Sequence, residues 1–236
     1  MRIVRRANER GRASAGWLDS RHTFSFGHYH DPAWMGFGPL RVINEDRVAP
    51  GGGFPPHRHA NMEILSYVVS GALAHRDSSG GSGVLRPGEL QWMSAGSGIE
   101  HSEYNGSDTE PVHFLQIWIM PGAAGRAPDY AQRRFEPALR EGRWATLASP
   151  DGVDGSLAIR QQASLRGTRL GRGIEVEHGL DPARRYWLHV VEGAIDADGQ
   201  PLSAGDAVGI SGESGLLRLS GAGAGVADLL LFDLPR

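Results

Sequence analysis

The 236-residue chain contains no cysteine, which excludes disulfides, thiolate metal centres and redox thiols. It has no apolar run of bilayer-spanning length. Its basic start, MRIVRRANERGRASAGW, lacks the apolar stretch of a secretory leader. Heptad patterning is also missing. Positive charge is not in surplus: 24 Lys and Arg stand against 27 Asp and Glu, a net of −3. That balance gives no reason to expect nucleic-acid binding through a basic surface, and no basic helix stands out as a DNA reader. The expectation is a soluble cytoplasmic monomer that touches neither membrane nor nucleic acid directly.

What the chain has in quantity is turn chemistry. Thirty-four glycines and fourteen prolines favour many short strands over a helical bundle. Ile64 to Val69 is a β-rich apolar run that closes on Ser70-Gly71. The segments Asp77–Gly83 and Arg86-Pro87-Gly88-Glu89 are turn formers, and Leu90–Met93 reads as the next strand. Within this frame lie two i, i+2 pairs, His57-x-His59 and His101-x-Glu103. On a strand, i and i+2 share a face. Two such strands facing each other present three imidazoles and a carboxylate, a set suited to a divalent first-row metal with positions left open. Iron heads the candidates, with nickel, manganese, copper, cobalt and zinc also compatible.

The residues around these pairs carry a resemblance. Gly51 to Gly71 fits the first cupin motif, with His57-x-His59 and Glu63; Gly83 to Asn105 fits the second, with Pro87-Gly88, Gly98, His101 and Asn105. More narrowly, PPHRHANMEI, LQWMSAGSGIEHSEYN and HFLQIWIMP resemble the pirin family. GWLDSRHTFSF, MGFGPLRVINEDRVAPGGGF and YAQRRF extend the likeness over roughly the first 140 residues. The resemblance implies an all-β bicupin: two antiparallel β-barrels of the double-stranded β-helix or jelly-roll type. We expect a metal-binding domain over 1–135 and a cupin-like domain without ligands over 136–236. It also implies quercetin 2,3-dioxygenase chemistry, in which dioxygen opens the central ring of a flavonol and carbon monoxide leaves. His57, His59 and His101 would hold the metal. Glu103 would be both ligand and the base for the substrate's 3-hydroxyl. A competing implication is a metal-dependent regulator acting through a protein partner, a transcription factor or a metabolic enzyme. A third is a cupin acting on some other small metabolite.

Other residues carry open readings. Glu63 lies at an even offset from His59, so it too can face inward, although the resemblance favours Glu103 as ligand. Trp17, Phe24, Phe26 and Tyr29 lie among His22, His28 and His30. They are expected to pack on the barrel, with His22–Phe26 close to the pocket, and Phe24, Phe26, Trp34 and Phe37 are candidates for stacking on a planar substrate. The arginines at 2, 5, 6, 10 and 12 read as solvated surface, Ile3-Val4 as an edge strand and His75 as half-exposed. In His113–Met120 the alternation places His113, Leu115, Ile117 and Ile119 inward and Gln116 on the other face. Pro121–Pro128 reads as a linker, Ala131–Phe135 as the start of a helical turn and Ser149–Ser156 as a solvated loop. Beyond it the strand grammar repeats, Val191-Glu192-Gly193 echoing Val69-Ser70-Gly71 and Ser203–Asp206 echoing Arg86–Glu89, but without the histidine pairs.

Overall fold

The computed structural model describes all 236 residues. Its regular structure is strands and three short 3-10 turns, and no helix is long and apolar enough to cross a membrane. Two compact units emerge. One holds Gly11–Phe135 with Ile159–Gln161; the other holds Met1–Arg10, Glu136–Ala158 and Gln162–Arg236. The chain passes between the units at Arg10/Gly11 and Phe135/Glu136, and again on either side of Ile159–Gln161. Strand Arg2–Arg5 adds to the edge of the second unit's sheet, Arg2 opposite Ile210 and Arg5 opposite Ala207. The Met1 ammonium binds the Ser211 carbonyl at 2.8 Å, and Arg6 binds Asp206 at 2.9 Å. Arg5 and Arg10 are therefore buried rather than solvated. Ile3-Val4 is the edge strand its sequence suggested.

The first unit is built from two sheets. The larger runs, in spatial order, Asp129–Arg134, Glu89–Ser94, Glu63–Ser70, Val112–Ile119, Leu40–Val48, Leu18–His22 and Gly11–Ser14. The smaller runs Gly53–His59, Ile99–Asn105, Leu73–Asp77 and Ser82–Leu85. One end of the space between them is apolar, where Val48, Val68, Leu73, Leu85, Val112 and Phe114 form a core cluster. Asp129–Arg134 is a strand paired with Glu89–Ser94, not a helical turn.

Strand Val112–Ile119 reverses the expected facing. Gln116 reaches Glu103 across the interior, while His113 lies on the opposite face and binds Glu45 at 2.9 Å. Both faces of this strand are largely buried, so hydrophobic alternation did not distinguish inside from outside. His75 is likewise buried, on strand Leu73–Asp77 opposite Glu103.

The second unit repeats the plan. Its larger sheet contains Ala207–Ser211, Arg185–Glu192, Ala227–Leu234 and Ser164–Leu170, and its smaller one Glu175–Leu180, Gly215–Gly221, Ala194–Ala197 and Gln200–Ser203. The echoes found in sequence are equivalent turns. Gly71 and Gly193 both have positive φ, 79° and 76°. A Cβ on either would meet neighbouring backbone, Pro111 O at 2.5 Å or Ala227 Cα at 2.7 Å, so only glycine fits. Likewise Glu89 caps Arg86 N at 2.7 Å, as Asp206 caps Ser203 N at 3.1 Å. The interiors differ: the second is filled by Leu188, Val190, Leu217, Leu219, Leu229 and Leu231.

Glu63 shows what anchors Ile159–Gln161. Its buried carboxylate accepts Trp92 Nε1 at 2.7 Å, Ser94 Oγ at 2.6 Å and Arg160 N at 2.9 Å. It thus sits on the face opposite Ile64 and Ser66, turned away from the histidines. Glu63→Ala leaves buried donors unpaired and is expected to cost about 3 kcal/mol. That lowers the first unit's thermal midpoint by roughly 6–12 °C, read by differential scanning calorimetry. Metal stoichiometry should stay at the wild-type value.

Candidate metal centre

The histidine strands meet in antiparallel register, with His101 opposite His57 and Ile99 opposite His59. Between His101 and Glu103 the register slips, so that Glu103 stands opposite Phe54. The extra residue falls at Pro55-Pro56, which have no N–H for a ladder, and a bulge is where a strand accepts them. The slip aims His57. Its Nδ1 lies 2.8 Å from the Pro55 carbonyl; a carbonyl only accepts, so Nδ1 carries the proton and Nε2 keeps a free lone pair. Ring centroids are 4.7 Å apart for His57–His59, 4.5 Å for His57–His101 and 4.9 Å for His59–His101. One nitrogen from each lies within 4.8 Å of the others.

His101 is 2% exposed, and neither ring nitrogen has a hydrogen-bond partner. A buried imidazole left in that state is costly, and a cation among the three rings would remove the cost. Protonation is not the remedy. Burial, with His57 adding to it, holds His59 down at about 4, and burial followed by the neighbouring histidines holds His101 at about 3. Both rings therefore offer lone pairs at neutral pH.

Glu103 is buried beside this cluster and grouped with His101 and His75. Ser66 Oγ lies 3.0 Å from its Oε1, and Gln116 Nε2 donates to its Oε2 at 2.5 Å. Burial pushes the carboxyl up to about 7, against the pull of those two hydrogen bonds. Each carboxylate oxygen has a second lone pair, so this anchoring leaves Glu103 able to bind a cation. His75 is differently placed. Its Nε2 binds Asp77 at 3.0 Å, its Nδ1 faces Gln91 Nε2 at 3.4 Å, and Tyr130 stacks on it at 5.0 Å. With both nitrogens engaged, His75 supports the His101 ring, 5.4 Å away, and offers no lone pair.

Of the expected neighbours, His22 is buried and His28 and His30 are exposed. Phe26 stands edge-on to Trp118 at 5.4 Å, and Trp118 stands edge-on to His59 at 4.7 Å. Phe24 and Phe37 are buried in the packing, and Trp34 is half-buried. The sequence singles out none of Ser66, Gln91 and Trp118, and its alternation turns Gln116 away from the site. Each sits at an ordinary strand position, and its role exists only once the two sheets face each other.

The residues fit a divalent transition metal, and metal titration tests this. Wild type should take up one ion per chain. His101→Ala should lose more than about 100-fold in affinity and Gln116→Leu roughly tenfold, through Glu103. Undiminished uptake by His101→Ala would count against the cluster.

Residues 3–119 match the Pirin family model, and residues 146–234 match that of the quercetinase C-terminal cupin domain. The chain is 46% identical, over all of its length and 99% of the other, to quercetin 2,3-dioxygenase of Escherichia coli K12. It is 42% identical to a pirin-like protein of Caulobacter vibrioides, over 86% of this chain and 88% of that one. The crystal structure of the bacterial pirin YhhW from E. coli in complex with nickel(II) superposes with a TM-score of 0.93 at 45% identity, covering 100% and 99% of the two chains. Full-length identity at this level, with both barrels in common, leaves one assignment: the chain belongs to the pirin family of cupins.

Proposed function

We propose that the protein is a metal-dependent flavonol dioxygenase of the quercetin 2,3-dioxygenase type, with one divalent ion held by His57, His59, His101 and Glu103. The observation that carries this reading is the buried His101, orphaned at both nitrogens and held neutral by burial at physiological pH, as His59 is. The E. coli relatives named quercetin 2,3-dioxygenase and the nickel(II) complex of YhhW support it. When bound, the metal supplies Lewis acidity to the substrate's oxygens and, if redox-active, a means of engaging dioxygen.

The remaining work falls to the chain's own groups. Glu103 holds or releases a proton at the carboxylate beside the cluster, where the flavonol 3-hydroxyl must be deprotonated. Its elevated proton affinity suits a base operating near neutral pH. Ser66 and Gln116 fix that carboxylate's orientation. Trp118 and Phe26 give the substrate's rings an apolar wall beside His59. Imidazole and carboxylate donors accept iron, nickel, manganese and copper alike, so the working metal follows from supply and turnover.

Dioxygen uptake with quercetin, after reconstitution with each of these four ions, provides the test. We expect metal-dependent uptake with carbon monoxide released in equal amount. Glu103→Gln should lower kcat by about 10²-fold or more. A metal-loaded protein inert toward quercetin with every ion would overturn the reading.

A further inference from the structure

Beside the histidine cluster the first unit holds a cavity of about 180 Å³. One wall is the face shared by strands Leu18–His22 and Leu40–Val48, on which His22 pairs with Asn44 and Ser20 with Asp46. Facing these are the rings of Phe26 and Phe54, and the exposed Gly27-His28 edge lies at the surface side. The cavity adjoins the candidate centre. Phe54 is the register partner of Glu103, and Asn44 that of Gln116, which donates to Glu103. Phe26 contacts Trp118, which contacts His59.

Three side chains in this wall each carry one unpartnered polar atom, Asp46 while also hydrogen-bonded to Ser20. His22, Asn44 and Asp46 are 5%, 3% and 4% exposed, and His22 Nδ1, Asn44 Oδ1 and Asp46 Oδ1 have no hydrogen-bond partner. A folded chain rarely leaves three such atoms together in one wall. The rest of the lining is chiefly apolar or aromatic, including Leu18 and Ala13. Polar groups converging in an otherwise apolar chamber are the signature of a site that orients one small ligand. Size narrows the class, since an apolar cavity of about 150 Å³ accommodates a benzene ring. This chamber has room for one aromatic ring with a hydroxyl or two, and not for a fused three-ring ligand.

We propose that the chamber is a subsite for a phenolic ring, which packs against Phe26 and Phe54 while its hydroxyls hydrogen-bond to Asn44, Asp46 and His22. Resting on the flavonol reading above, it receives one hydroxylated outer ring while the substrate's 3-hydroxyl and 4-keto edge meets the histidine cluster. The chamber makes the protein selective for polyhydroxylated flavonols, because a wall built to bind hydroxyls disfavours rings that lack them.

Two measurements on the full-length, metal-loaded protein test this. The first is calorimetric titration with resorcinol, whose meta hydroxyls cannot chelate the metal, against toluene. Wild type should bind resorcinol at least about tenfold more tightly, the worth of one good hydrogen bond. Asn44→Leu should abolish that preference. Ala13→Met, on the half-exposed strand Gly11–Ser14, fills the chamber without removing a polar group and should abolish binding of both. The second compares kcat/KM for quercetin with that for 3-hydroxyflavone, which keeps the metal-facing edge and lacks the outer hydroxyls. Asn44→Leu should lower the ratio about tenfold. Resorcinol binding that ignores both variants overturns the subsite, even where quercetin is turned over. Binding that responds as described in a protein inert toward quercetin upholds the subsite and overturns only the dioxygenase reading.

Discussion

Putting polar groups inside a barrel costs free energy unless each finds a partner. In the first unit that constraint governs the interior. His75 is satisfied by Asp77 and Gln91, Glu103 by Ser66 and Gln116, and Glu63, on the far face of its sheet, by Trp92, Ser94 and Arg160. Among the first unit's unpartnered atoms, which include His22 Nδ1, Asn44 Oδ1 and Asp46 Oδ1, those of His101 are both of its ring nitrogens. The groups around it are arranged so that they cannot relieve it: His57 has turned Nδ1 to Pro55, and His75 is spent on its own neighbours. What is left is a converging set of lone pairs suited to a cation.

The two barrels show that this interior is an addition to the fold rather than a requirement of it. Both close their strands with positive-φ glycines, Gly71 and Gly193, and both brace a turn with an acidic side chain, Glu89 and Asp206. The second then fills its centre with leucine and valine. It gains the burial energy of an apolar core, at about 25 cal/mol per Å², whereas the first forgoes part of that gain to keep its polar groups. Stability and site are divided between copies of one plan.

Much of this was legible in the sequence because it depends on local rules. His57-x-His59 and His101-x-Glu103 share faces through strand periodicity, and the turn echoes identified the second barrel. What escaped depends on long-range register. Alternation places Gln116 on the wrong face because both faces of its strand are apolar enough to bury. His75 became part of the interior only through its pairing with Glu103. Nothing in MRIVRR indicates that its strand pairs with Ala207–Ser211, some two hundred residues away. Chain continuity places it with the first barrel, while hydrogen bonding assigns it to the second.

The central claim is that His57, His59, His101 and Glu103 together hold one ion. Anomalous diffraction from crystals of the metal-loaded protein, recorded at the metal's absorption edge, tests it most directly. The account predicts a single strong peak within roughly 2.0–2.2 Å of one nitrogen from each histidine and an oxygen of Glu103, with His75 still bound to Asp77. A peak ligated by His75, or one lying away from His101, would contradict it.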